Sequence, residues 1–408
     1  MLFKRERYLK KIRPFYHADD IIKVITGVRR CGKSSLMETI ADEIKQSGVQ
    51  EENIIYLDLD KRENRKIKTP DQLEALIQSR IKSEELKYLF IDEIQNVTGF
   101  EEVINGFRSD SNFSIFITGS NSYLLSGELV TKLTGRYLEF ELFTLGFDEY
   151  EQMKQFYGKP IAQNPIVELN NYILEGGFPR TIQIDDVAAK RTYVTGVVNE
   201  IFEKDIKRRV KIKDKAAFEA VRNFVINNFG STMSINSLTE ALKNNGIGIT
   251  RATVTKYITV LVDAKILYEC NRFDMKSKKV LTGEKKYYLA DMGFYFALNT
   301  DNRINFGPVL ENIVYIYSRS SDYSVSVGRI GKLECDFILR NTENDYAYVQ
   351  VAYTILQSEE TEKREYKALE SIKDNYPKYV ATTDYTLQKR NGIKHINLIE
   401  FIKSESQF

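Results

Sequence analysis

Eight consecutive residues, Gly27-Val28-Arg29-Arg30-Cys31-Gly32-Lys33-Ser34, match the spacing G-x-x-x-x-G-K-[ST] without a mismatch. Glycines at its first and sixth positions let a backbone curl until successive N–H groups face one anion. An ammonium at Lys33 would reach the β- and γ-phosphates of a nucleotide, and Ser34 would offer its hydroxyl to Mg²⁺. The helix that follows would direct its positive end at the same phosphates. Together with Ser35, these residues form the candidate cradle for a nucleoside triphosphate. Arg29 and Arg30 occupy free positions of the pattern. Phosphate contact, contact with a neighbouring subunit and plain solvation all remain open for them. Cys31 reads as a small filler, with a redox-sensitive thiol as the alternative.

Asp92-Glu93 is the second constellation, and it ends an apolar run, Tyr88-Leu89-Phe90-Ile91. Behind a phosphate-binding loop, the first acid suits Mg²⁺ and the second suits activation of the attacking water as general base. Ser120 and Asn121 end another apolar run and could sense the γ-phosphate, or simply cap a helix. Arg136 follows a glycine. It reads as a surface ion pair, or as a finger presented to a neighbouring active site.

Alternating strands and helices must hold these groups. Strand-like runs fall at Ile21–Ile25, Asn53–Leu57, Tyr88–Ile91, Ser114–Thr118 and Arg136–Leu142, and the spacing predicts a helix over Pro70–Ile81. Continuously apolar strands alternating with helices indicate an α/β fold, a parallel sheet covered on both faces. Ligands of such sheets sit at the carboxyl ends of the strands.

The 408 residues suffice for two to four domains, and a net charge of +2 confines any nucleic-acid surface to a local patch. Three cysteines far apart and two histidines give no zinc pattern, disulfide framework or His-based triad. No long apolar span or signal-peptide core occurs, so a cytoplasmic location without membrane contact is expected.

The chain resembles prokaryotic AAA-superfamily ATPases of the branch related to signal-transduction and archaeal ATPases. More specifically, it is similar to members that carry a C-terminal domain of unknown function. The matching pieces are Gly27–Ser34, Leu89–Gln95, Ile117–Asn121, Leu133–Tyr137 and Glu175–Arg180. The resemblance implies ATP rather than GTP, a first sensor at Ser120 and Asn121, and Arg136 as a finger acting between subunits of a homo-oligomer. It also implies that Gly176-Gly177-Phe178-Pro179 lies in a helical lid near nucleotide. From spacing alone that stretch says only helix break and turn.

Helical patterns over Ala216–Phe229, Ser234–Asn244 and Thr250–Ile258 precede strand-like Ile266–Tyr268 and Lys286–Leu289. Three helices and a hairpin make a winged-helix pattern. Residues 250–286 are then the candidate DNA surface, with Arg251, Thr253, Thr255 and Lys256 on the recognition helix. Arg272, Lys276, Lys278, Lys279, Lys285 and Lys286 would be on a basic wing; a wing that packs between domains or binds protein is the alternative. Beyond it, a helix over Pro308–Tyr317, strands at Tyr323–Val327, Leu333–Leu339 and Tyr346–Tyr353, a helix over Glu359–Asp374 and a strand at Tyr379–Thr382 resemble the restriction-endonuclease-like fold. That resemblance maps its metal-binding acids onto Glu311 and Asp336. Gln350 stands for the third carboxylate and Ala352 for the lysine, so cleavage is not expected.

The expected division is a nucleotide-binding domain over 1–165, a helical lid and connector over 166–213, a winged helix over 214–300 and a nuclease-like α/β domain over 301–408. The expected activity is hydrolysis of ATP that moves the C-terminal modules, with DNA as a candidate partner. A slow nucleotide-dependent switch or scaffold binding a protein, and a metal-dependent nuclease, are the alternatives.

Overall fold

A computed structural model describes residues 2–119, 133, 135–207, 210–299 and 305–408. It divides into two compact units, residues 1–142 and 143–408.

The first unit opens with α1 (Glu6–Ile12), then β1 (Ile22–Thr26), α2 (Lys33–Gln46), β2 (Ile54–Asp58), α3 (Pro70–Gln78), β3 (Lys87–Asp92), α4 (Phe100–Ser109), β4 (Phe113–Thr118) and β5 (Tyr137–Glu141). Its strands form a five-stranded sheet in the order β2-β3-β4-β1-β5, parallel throughout. Every residue of β1, β3 and β4 is buried, as continuously apolar runs require in a sheet covered on both faces. On one face, Leu73 and Ile77 of α3 and Phe100 and Ile104 of α4 pack on Leu89, Ile91, Ile115 and Ile117. The other face carries an aromatic row in which Phe90 stacks on Phe116 at 4.7 Å. Helix α3 starts as its sequence dictates: Pro70 sits in the first turn and Thr69 and Gln72 close a capping box. The strand order brings the carboxyl ends of β1, β4 and β3 side by side, with Ile25 opposite Thr118 and Ile91 opposite Ile117.

In the second unit, helices α5 (Phe147–Phe156), α6 (Pro165–Glu175) and α7 (Val187–Ile201) come first. The chain continues through α8 (Lys215–Asn227), β6 (Thr232–Met233), α9 (Ile235–Asn244) and α10 (Arg251–Asp263). Thr250 caps α10 by accepting from the Thr253 amide. Strands β7 (Leu267–Asp274) and β8 (Lys279–Leu289) then form a hairpin, followed by α11 (Gly293–Leu298) and α12 (Phe306–Ser320). The rest is β9 (Ser324–Ile330), β10 (Leu333–Arg340), β11 (Tyr346–Val351), α13 (Glu359–Glu370), β12 (Lys378–Thr382), β13 (Lys389–Arg390), β14 (Ile393–Asn397) and α14 (Leu398–Lys403).

The expected helix order 216–258 is present, but the hairpin departs from expectation. Residues 271–286, read as a basic wing between two short strands, are mostly strand, and β7 pairs in parallel with β9 through Arg272 opposite Val327. One nine-stranded sheet, β13-β14-β12-β11-β10-β9-β7-β8-β6, therefore runs across residue 300. The side chain of Asn312 on α12 fastens the end of the hairpin, accepting from the Leu289 amide at 2.7 Å and donating to the Leu289 carbonyl at 3.0 Å.

Candidate functional site

The loop between β1 and α2 has the curl its sequence calls for. Gly27, Arg30 and Gly32 hold positive φ values of 141°, 68° and 107°. A Cβ on Gly27 would lie 2.2 Å from the Leu142 carbonyl oxygen, so only glycine fits. Helix α2 begins at Lys33 behind Gly32 with no side-chain cap, so its positive end faces the loop. The Lys33 ammonium is buried and donates to the carbonyls of Gly27 at 3.0 Å and Val28 at 3.3 Å. Those carbonyls hold the cation over the loop. Val28 and Cys31 are buried beneath the loop, and burial pushes the Cys31 thiol up. Ser34, Ser35 and Arg30 are exposed, and Arg29 is partly so. Nest, cation and exposed hydroxyl thus fit a magnesium-bound polyphosphate.

Asp92 ends β3, buried, and Glu93 follows it in the left-handed region at φ 55°. For a glutamate this backbone costs about 1–2 kcal/mol, so neighbouring bonds must hold it. Two such bonds are present. The Glu93 amide donates to the Thr118 hydroxyl at 3.2 Å, and Gln95 donates to the Glu93 carboxylate. Thr118 in turn donates to the Asp92 carboxylate. Burial pushes the Glu93 carboxyl up, against the downward pull of Lys33 and Arg29, whose charges reach it. A carboxylate raised in this way is a better proton acceptor near neutral pH. The structure therefore brings the Gly27–Ser34 loop and the acid pair to one end of the sheet.

Arg136 is not brought there. It precedes β5, and its carbonyl accepts from Ile22, the first residue of β1. It therefore sits at the amino-terminal edge of the sheet, about 13 Å of strand away from the loop of its own chain. Its exposed guanidinium donates to Asn105 at 3.1 Å. Ser120 and Asn121 lie outside the described residues.

Sequence reasoning missed Thr118, Gln95 and Arg5. Arg5 is buried and donates to the Cys31 carbonyl at 3.3 Å, bracing the loop from the N-terminal segment. The only signal for Thr118 was a polar residue closing an apolar strand.

In the second unit Glu311 and Asp336 do meet, but around a cation. The ammonium of Lys286, buried, stands 2.9 Å from Glu311, 3.0 Å from Glu334 and 3.9 Å from Asp336. Gln350 accepts from the Asp336 amide at 3.4 Å and donates to Glu365 at 3.0 Å. This corrects the reading of the basic wing. Lys286 and Arg272 are buried, Arg272 pairs with Glu284 and Glu334, and Lys285 pairs with Glu269. The physical reason is the longer hairpin, whose pleat turns these side chains onto acids of the same sheet and, for Lys286, onto Glu311 of α12. Lys276, Lys278 and Lys279 remain exposed at the tip, as do Arg251, Thr255 and Lys256 on α10.

Gly176 and Gly177 have a local explanation. Gly176 has φ 74° and ψ 178°, and a Cβ there would lie 2.2 Å from the Asp291 carboxylate. That buried carboxylate accepts from the amides of Gly177 at 2.8 Å and Gly293 at 2.7 Å, and burial raises its pKa to about 6.

A family model described as an AAA domain matches residues 19–151, and a domain of unknown function, DUF8612, matches residues 166–304. An uncharacterized protein of Haemophilus influenzae is 34% identical over 98% of this chain and 98% of its own length. The uncharacterized protein MJ1544 of Methanocaldococcus jannaschii is 31% identical over 86% of this chain and 79% of its own. Among solved structures, the Aeropyrum pernix Orc1 protein in complex with DNA is similar over 74% of this chain and 93% of its own, at 12% identity and a TM-score of 0.35. That likeness is too distant to bear on function. No helix among the described residues is long and apolar enough to cross a membrane.

Proposed function

Because this chain belongs to one family with those two uncharacterized proteins and carries an AAA domain, we propose that it hydrolyses ATP with Mg²⁺ and uses the turnover to move its C-terminal modules. The observation that carries this reading is the meeting of a glycine-curled loop, a buried Lys33 and the Asp92-Glu93 pair at the carboxyl ends of β1 and β3, which flank β4 in the sheet. The loop amides and Lys33 bind the phosphates. Ser34 and Asp92 would hold Mg²⁺, which supplies charge neutralisation on the β- and γ-phosphate oxygens. Glu93 takes a proton from the water that attacks the γ-phosphate in line. Arg136, at the far edge of the sheet, acts on a neighbouring subunit, so a homo-oligomer is part of the reading.

The C-terminal part of the proposal is a winged helix whose DNA-facing groups are Arg251, Thr255 and Lys256 together with Lys276, Lys278 and Lys279. Next to it we place a nuclease-like domain that does not cut. An ammonium among its carboxylates, Gln350 for a carboxylate and Ala352 for a lysine support that reading. A slow switch is the second reading, favoured by the bond from Gln95 that engages the Glu93 carboxylate.

Steady-state phosphate release, with and without single- and double-stranded DNA, separates these readings. Turnover stimulated by DNA supports the motor, and slow release indifferent to DNA supports the switch. Lys33→Ala should abolish tight ATP binding, and Glu93→Gln should bind Mg·ATP without releasing phosphate. Unchanged ATP affinity in the first variant, or parental turnover in the second, refutes the assigned role.

A further inference from the structure

Thr118 is the last residue of β4 and is fully buried. A hydroxyl has one proton and two lone pairs. Here the proton goes to the Asp92 carboxylate, and one lone pair receives the amide of Glu93 at 3.2 Å. Both bonds leave β4 for the tip of β3, and they end on the two consecutive acids of the site. One fixes the rotation of the Asp92 carboxylate. The other holds the peptide between Asp92 and Glu93 in the orientation that permits the left-handed backbone at Glu93. Through its own main chain Thr118 is paired with Ile25 of β1, one residue before the strand ends and the loop begins.

We propose that Thr118 is a positioning residue for hydrolysis: its single hydroxyl orients Asp92 toward the metal and sets the backbone from which Glu93 reaches the attacking water. The proposal rests on the ATPase reading above. A core threonine satisfied only for burial needs one partner anywhere; this one divides its bonds between the metal-holding acid and the base. Groups that orient metal ligands in this way act without touching the metal, and their loss costs about 10–100-fold in metal affinity or activity.

The test uses the full chain with Thr118→Val, which keeps the branched shape, and Thr118→Ser, which keeps the hydroxyl. Melting curves first establish that each is folded. If the valine variant does not fold, Thr118→Cys replaces it, because a thiol is a poor donor of similar size. The measurements are kcat, KM for ATP, and the Mg²⁺ concentration that half-saturates binding of a fluorescent ATP analogue. The expected result for valine is a kcat lower by about 10–100-fold and a raised Mg²⁺ requirement, with metal-free nucleotide binding unchanged. Serine restores most of both. A valine variant with the parent's kcat and Mg²⁺ half-saturation overturns the proposal, as do equal losses in valine and serine. A parent chain that binds Mg·ATP without releasing phosphate refutes the hydrolysis reading instead. The Mg²⁺ half-saturation then still decides for or against Thr118.

Discussion

Replacing Lys286 by Met should leave a hole in the charge balance of the second unit. Its ammonium has two carboxylate oxygens at 2.9 Å and 3.0 Å and a third at 3.9 Å, with the side chain only 5% exposed. At an effective dielectric near 20, each of the closer pairs is worth about 5–6 kcal/mol gross. Taking the ions out of water consumes much of that, and removing one partner of a buried arrangement costs about 3–5 kcal/mol net. For a unit of this size that is a melting decrease on the order of 10 °C. The loss should also depend on pH. Burial raises the carboxyls of Glu311 and Asp336, while Lys286 pulls both down. With their folded-state values above the unfolded ones, the native state keeps protons the unfolded state has released. Stability therefore falls as pH rises through that window. Without the ammonium both carboxyls rise further and the fall steepens. Melting of parent and variant at pH 5 and pH 8 measures this: the deficit should be clearly smaller at pH 5, where the carboxyls can be neutral. A variant as stable as the parent at pH 8, or a deficit identical at both pH values, refutes the argument that a lysine neutralises this acid cluster.

Three further outcomes follow from the same reasoning. On the proposed winged-helix reading, Lys276, Lys278 and Lys279 changed together to Gln should weaken binding to a DNA duplex and flatten its salt dependence by up to about three phosphate contacts; a parent chain without duplex affinity at low salt refutes that reading. Changing Lys285 instead should matter little, because it is paired with Glu269; a filter-binding salt titration compares the two. Lys23, buried in β1 with its ammonium donating to the Ala18 and Ile21 carbonyls and to Ser114, has its pKa lowered by burial to about 7. Between about pH 7 and its ordinary value near 10.5 the unfolded chain alone holds that proton, so stability rises with pH by about 1.4 kcal/mol per unit. Lys23→Met should remove that slope from urea titrations. Gly176→Ala should destabilise the second unit by more than about 1–3 kcal/mol, combining a backbone region reserved for glycine with a clash on Asp291. A variant melting with the parent would contradict it.

The nucleotide half of the molecule was legible in the chain because its signals are local. Gly27, Gly32, Lys33 and Ser34 are neighbours in sequence and remain neighbours in space. The five apolar runs became five strands within a residue or two of their expected ends, and three of them, β1, β3 and β4, are buried throughout. That Asp92-Glu93 would face this loop could be expected from the habit of parallel sheets. Thr118 could not be assigned in that way. Its meaning lies in one hydroxyl bridging two strands distant along the chain, and nothing in the string Phe-Ile-Thr-Gly fixes which acid it meets. The basic stretch 271–286 shows the same limit. Six positive charges in sequence look like one surface, but strand pleat sends successive side chains to opposite faces. Parallel pairing with β9 then puts Arg272 and Lys286 against Glu334, from a strand no local pattern connects to them. The sequence by itself determined the phosphate loop, the acidic pair and the order of the elements, since those depend on covalent neighbours and periodicity. Only the tertiary structure decided which charges are free to meet a ligand and which are consumed in the core, because burial and pairing depend on strand register across long chain separations.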